Sequence, residues 1–450
     1  MKTYIVNGTV VFEQKVEVSD IEINDGKITA IGVNLPKSPG ATVIDAAGKY
    51  VFPGVVDFHT HFAEVNGLFT SNDSYTSGTK AAILNGVTTV NGFIQQNFNK
   101  ALSQAITDTM ELAKDNVYTH IRWHLTPTRF SDVNYSEISK WIERGLKTFK
   151  FYTTYKQQNL YLPYDKIQEI LKRLRNYEPT VLIHCEDDAV ISGSKILGQN
   201  YSTASTLSSM RNEESELRAV ESIISICKNA QTDVIIAHVS SSDSMGQIQL
   251  AKRECPIHCE VTPPNIFLSE EAFLNDNGYR YNIFPPLRSR ECRALMEKKI
   301  LLDYAEIFSS NHRAYSKDAK DKSKNDIRNV PQGLPSVGVL FHLFTELFMT
   351  HPELPLHQFY RKLSSIPARF AGIYPQKGCI QVDSDADLLI VNMNGEPREL
   401  YGTLANSYNP WEGRKTKYRF DYVLLNGEIV VKSDKLVNES KMSGKILVQS

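Results

Sequence analysis

Short apolar runs recur through the middle of the chain, separated by longer stretches with helical spacing. The runs cover residues 55–61, 86–91, 119–125, 147–152, 180–185, 233–239, 257–262 and 306–311. Most intervals between them read as helix, as in "PYDKIQEILKRLRNY" and "SDSMGQIQLAKREC". Strands alternating with helices build parallel βαβ units, and eight such units predict an α/β chain with a (β/α)8 TIM barrel. The interval after residue 191 has room for a Ser-rich loop and then a helix beginning near Glu213.

The two ends of the chain follow a different pattern. "YIVNGTVVF", "IEINDGKITAIG" and "YVLLNGEIVV" place β-formers around Asn7-Gly8, Asp25-Gly26 and Asn426-Gly427, the preferred two-residue hairpin turns. Isolated hairpins are marginal in water, so the two ends are expected to pair. The division predicted is a small β-sandwich built from residues 1–52 and 378–450, and a barrel over 53–377. The charged stretch "SKDAKDKSKND" after the eighth run reads first as a solvated loop, with a mobile flap over the barrel mouth as the alternative.

Composition narrows the partners. The 450 residues are 41% hydrophobic and 22% charged, with a formal net charge of -1, which gives no support for nucleic-acid or anionic-membrane binding. No apolar run reaches the roughly 18 residues of a membrane helix, and the first residues lack signal-peptide character. Six scattered cysteines show no disulfide framework, as expected of a cytoplasmic protein.

Candidate chemistry collects at the ends of the predicted barrel strands, where such folds place their active sites. His59 and His61 stand two residues apart, so in a strand they share a face. Lys150, His184, His238 and Asn311 end the fourth, fifth, sixth and eighth runs. Any one histidine alone is more often structural, but four at the ends of three strands point to a metal site. Lys150 lies between Phe149 and Phe151, where an unpaired ammonium is costly. Burial would lower its pKa and expose a neutral amine able to take up carbon dioxide as a carbamate, an anion that can bridge two metals. "CPIHC" offers Cys255, His258 and Cys259, but structural zinc needs a fourth ligand and none is nearby, so the seventh strand is the better reading.

"PGVVDFHTHF", "FKFYTTYK", "IHCED", "IIAHVSS", "EVTPPNIFLSEE", "FPPLRSRE" and "PARFAGIYPQKGCIQVDSDADLLIV" resemble, in that order, the cyclic amidohydrolases: hydantoinases, dihydropyrimidinases, allantoinases and dihydroorotases. The resemblance covers nearly the whole chain and implies a homo-oligomer, dimer or tetramer, that hydrolyses a small cyclic amide, imide or ureide. It implies two divalent ions, zinc foremost, with a hydroxide between them. His59, His61 and Lys150 would hold one ion, and carboxylated Lys150 with His184 and His238 the other. "TSNDSYTSGTKAAILNGVTTV" resembles the hydantoinase–dihydropyrimidinase branch, and Ala63 replaces the arginine usual in dihydroorotases. Tyr155 matches the tyrosine that steadies the oxyanion in that branch.

Three positions depart from the family pattern. Asn311-His312 stands where Asp-His is usual, and asparagine can offer a carbonyl oxygen but no basic carboxylate. Phe284 and Gln332 replace a serine and an asparagine that present backbone groups to the ring. The leading expectation is a hydantoinase-like hydrolase with Tyr155 and Asn311 at the reacting centre and Tyr155, Phe284 and Gln332 around the substrate. A weakly active or non-catalytic metal-binding chain is the alternative, and dihydroorotase or allantoinase activity a further one.

Overall fold

In a computed structural model, residues 2–66, 69–194, 201, 203–405 and 408–448 are described. The eight runs form eight parallel strands in sequential order: Val55–Asp57, Val87–Gln95, His120–Thr126, Thr148–Tyr152, Thr180–His184, Asp233–Ile236, Ile257–Val261 and Ile307–Phe308. Between the last and the first, Thr60 bridges His312 in parallel register, and the amide of His61 donates to the His312 carbonyl at 2.7 Å. That contact brings the ends of the sheet together as a nearly closed TIM-like barrel.

The strands are buried on both faces and alternate between two cores. Val181, Ile183, Val234 and Ile236 pack outward into the cluster shared with the helices. Leu182 and Ile235 join Val56, Phe58 and Ile307 in the inner cluster. By the same period of two, Phe149 and Phe151 belong to the outer cluster and Lys150 points inward. The expected helix after residue 191 runs Glu213–Ala230, capped by the Asn212 side chain on the amide of Ser215. Residues 195–200 and 202 of the predicted Ser-rich loop lie outside the described residues.

Both ends of the chain enter one nine-stranded mixed sheet. Strand Leu388–Asn392 lies antiparallel to Tyr50–Pro53 on one side and to Arg419–Leu425 on the other. Ile5, Ile21, Ile28, Val51, Leu388, Ile390 and Leu424 then share a single core. Asp25-Gly26 and Asn426-Gly427 are tight turns with positive φ at both residues. Asn7-Gly8 is not a turn: it interrupts the register inside strand Thr3–Val11, with Asn7 at φ 60°. The side chain of Val51 would lie 2.6 Å from a Cβ at Gly8, so glycine there admits the neighbouring strand rather than reversing the chain.

Beyond this sheet the tail returns to the barrel. Ile121 donates to the Lys445 carbonyl at 2.9 Å, Leu447 donates back to Ile121 at 2.9 Å, and Leu447 packs on the inner cluster. The charged stretch also differs from a solvated loop. It contains the helix Lys317–Lys322, and Lys320 is fully buried. Its ammonium donates to the carbonyls of Arg280 at 2.7 Å and Gly333 at 2.8 Å, and more weakly to Asn282. Among the described residues no helix is long and apolar enough to cross a membrane.

Candidate active site

The carboxyl ends of the barrel strands open into a cavity of about 310 Å³. His59, His61, Lys150, Tyr155, His184, His238, Phe284, Asn311 and Gln332 all line it, so the nine candidate ligand, catalytic and substrate residues reach one place. The "CPIHC" residues do not: His258 lies 3.3 Å from Asp233, and Cys255 and Cys259 are buried free thiols.

Two of the four histidines are hydrogen-bonded to a fully buried carboxylate, and a third meets a partly buried one. His59 Nδ1 lies 2.9 and 3.2 Å from the two oxygens of Glu260. His61 Nδ1 lies 2.9 Å from Glu64, and His184 Nε2 lies 2.6 Å from Glu186. A carboxylate on one ring nitrogen fixes the tautomer and leaves the other nitrogen free to ligate. The free nitrogen of His184, Nδ1, faces His238 Nε2 at 3.1 Å. Burial, and then the neighbouring Lys150 charge, hold His59 and His238 well below the usual imidazole range. These rings are neutral at physiological pH and available as donors.

Glu260 does more than brace one ring. It also accepts from the His238 amide at 2.8 Å and from the Ser309 hydroxyl at 2.5 Å, tying together the ends of the first, sixth and eighth strands. Glu64 is held in turn by Arg313, whose Nε is 2.9 Å away. Burial alone would raise the Glu64 carboxyl, but Arg313 and His61 outweigh it and bring it down to about 2. Glu186 bonds the guanidinium of Arg211, which lies 3.9 Å from the Phe284 ring and 5.1 Å from the Tyr155 ring.

Lys150 stands between the histidine pairs with a buried Nζ that has no hydrogen-bond partner among the described residues. The rings of Phe93 and Tyr152 lie 5.6 and 5.5 Å from it. Burial lowers its amine to about 8, against an opposing pull from Glu260. Tyr155 lies 5.0 Å from His184 between ring centres, and burial pushes its hydroxyl upward, so it stays protonated. Three cavity-lining residues other than glycine, Tyr155, His238 and Asn311, adopt positive φ. Such strain persists where surrounding contacts over-determine the backbone, commonly at working sites. Among the described residues no three His, Cys, Asp or Glu side chains by themselves form a metal cage. The rings form one chain, His61 to His59 at 5.2 Å, His59 to His238 at 5.4 Å and His238 to His184 at 4.7 Å between centres, and Lys150 lines the same cavity.

Sequence reading missed the carboxylates and both arginines. Glu186 and Glu260 sit inside the quoted "IHCED" and "EVTPPN" segments, and Glu64 is three residues past His61, so proximity to ligand motifs was the available signal.

The sequence profile of the amidohydrolase family matches residues 50–213 and 321–430. The D-hydantoinase of Ralstonia pickettii is 28% identical over 455 residues, covering 99% of this chain and 98% of that protein. The D-hydantoinase of Geobacillus stearothermophilus is 29% identical, covering 98% and 95%. The crystal structure of dihydropyrimidinase from Brevibacillus agri NCHU1002 superposes with a TM-score of 0.91 at 26% identity, covering 100% and 99%.

Proposed function

Since this chain belongs to the amidohydrolase family, we propose that it hydrolyses the amide bond of a small cyclic ureide or imide, as the similar hydantoinases and dihydropyrimidinases do by name. The observation that carries this reading is the set of carboxylate-braced histidines around an unpartnered, buried Lys150. Neutral imidazoles with one nitrogen held from behind are suited to zinc or a similar divalent ion. His59, His61 and Lys150 would hold one ion, and Lys150, His184 and His238 a second. The lysine amine, lowered to about 8, can add carbon dioxide and release a proton, and the resulting carbamate would supply an anionic oxygen donor to the ions. Ions bound there would supply Lewis acidity at the ring carbonyl and lower the pKa of water.

The remaining work falls to the chain. Tyr155 keeps its proton and can donate it as a hydrogen bond to the oxyanion that forms on the ring carbonyl. Arg211 holds Tyr155 and Phe284 in place through their ring faces. Phe284 and Gln332 line the cavity and would bound the ring. Asn311 can offer its carbonyl oxygen to an ion but cannot take a proton. General-base assistance is worth about 10²–10⁴-fold, so turnover should be slow on ordinary ring substrates unless another base serves. A second reading, an ion-binding chain with little or no catalysis, is favoured by Asn311 alone.

The test is hydrolysis of hydantoin, dihydrouracil, allantoin, dihydroorotate and simple cyclic imides, with ion content measured in parallel. Asn311→Asp is compared at matched ion occupancy. Slow turnover that rises in the aspartate variant supports the hydrolase reading. Brisk wild-type turnover that falls in that variant overturns the role given to Asn311. Inactivity of both transfers the weight to the second reading.

A further inference from the structure

The cavity holds a charge that the proposed hydrolysis does not use. Arg313 lines it two residues beyond Asn311, its side chain about one-fifth exposed at 20%. Its Nε edge lies against Glu64, and among the described residues no hydrogen bond engages either terminal nitrogen. Glu64 is the one acidic residue in the described lining, and it is already in contact with His61 and Arg313.

The surroundings decide what would suit that free fork. Gln95, Gln157 and Gln158 ring the exposed mouth, while Leu160, Ile283 and Phe284 are the apolar side chains of the wall apart from its tyrosines. A purely apolar ring substituent lying over Arg313 would desolvate the terminal nitrogens without replacing their water. A carboxylate would take two charge-assisted bonds from the planar fork, a match that lysine cannot reproduce.

We propose that Arg313 is a specificity-determining residue that selects cyclic-amide substrates bearing a carboxylate, its terminal nitrogens binding the carboxylate while its Nε stays on Glu64. The assignment rests on the cyclic-amide reading above and narrows it to anionic ring substrates.

The experiment uses the ion-loaded full chain with a hydantoin carrying a carboxymethyl group and the same ring carrying the neutral carboxamide. Wild type is compared with Arg313→Lys, which keeps a charge beside Glu64, and with the double variant Arg313→Met/Glu64→Gln, which removes the pair together. Wild type should prefer the carboxylate by roughly 10- to 100-fold in kcat/KM, carried by KM, and both variants should lose most of that ratio. Equal loss on both rings, or no wild-type preference, overturns the proposal and leaves Arg313 as a support for Glu64. Calorimetric binding of the two rings separates the two readings. Preferential binding of the carboxylate that vanishes in the variants, with neither ring hydrolysed, sustains the Arg313 site and sinks the hydrolase. Equal binding of the two rings overturns the Arg313 site whatever the turnover.

Discussion

Lys150 at the barrel mouth and Lys377 at the junction with the terminal sheet are both almost completely buried, at 1% and 2% exposure. Their surroundings are opposite. Lys377 lies 2.7 Å from Asp387 and 2.9 Å from Asp385, and donates to Asn426 at 3.0 Å. Burial would raise the Asp387 carboxyl, but Lys377 and then His120 outweigh it and hold it below the usual carboxylate range. Lys150 has aromatic rings and neutral histidines around it and no hydrogen-bond acceptor among the described residues. A buried ammonium with two carboxylates is a clasp, stable because its charge is answered. A buried amine with no carboxylate in contact, only the longer-range pull of Glu260, is destabilised as a cation and reactive as a base. Burial alone therefore does not mark the working lysine; the absence of a contacting acceptor does.

The comparison is broken most directly by removing each amine. Lys150→Ala should abolish ion binding and turnover while leaving the fold, because Lys150 is the residue proposed to supply a ligand to both ions. Ion content by elemental analysis checks the first effect, and short carboxylic acids should restore part of it. A wild-type protein that binds two ions while its intact mass shows an unmodified Lys150 would contradict the carbamate.

Lys377→Met should do the reverse. It removes the cation in contact with the buried Asp387, while Asp385 keeps Lys27 at 2.5 Å, and should cost about 3–5 kcal/mol in denaturant unfolding, as loss of one partner of a buried pair does. Ion affinity of the folded fraction should hardly change. If ions are lost in step with stability, the two regions are not separable and the contrast fails.

A smaller effect sharpens the mouth itself. Glu260→Gln keeps the shape but removes the charge behind His59, and outer-shell partners of this kind are typically worth about 10–100-fold in ion affinity. Glu186→Gln should act similarly through His184. An equal loss of ion affinity from a carboxylate remote from the rings, such as Asp385, would show a general effect of stability rather than bracing.

The same contrast explains what could be read before the fold was known. The barrel strands announce themselves as apolar runs, and the candidate ligands sit at their ends because the chain leaves the core there. A strand-end histidine is thus visible in one dimension. Its brace is not: His59 and Glu260 are 201 residues apart, and only closure of the barrel joins them. Lys320 was hidden for a related reason. Its run looks solvated by charge, but the acceptors that allow its burial are backbone carbonyls of residues 280, 282 and 333, which carry no sequence signal. Asn7-Gly8 has the composition of a turn, and the approach of Val51 makes it a bulge instead. Phe149-Lys150-Phe151 was legible because flanking phenylalanines mark a strand sunk in the core, although their rings pack outward and it is Phe93 and Tyr152 that face the amine.

The smallest effect tests Lys150 without mutation. Burial lowers its amine from 10.5 to about 8, so the proton is lost at lower pH than from an exposed lysine. Carbon dioxide adds only to the neutral form. Reconstitution of ion-free protein, at fixed dissolved carbon dioxide and fixed free zinc, should therefore accelerate about tenfold per pH unit below about 8 and level off above it. The signs follow from the shift: burial disfavours the cation, so raising pH through the folded pKa populates the reactive amine. Loading monitored by intact mass and by ion content should rise together, since the carbamate joins the two sites. A rate that keeps climbing toward 10.5 would mean an exposed, unperturbed lysine. A rate independent of pH from 6 to 9 would mean that ions load without Lys150, and the mouth would then differ from the junction in geometry but not in chemistry.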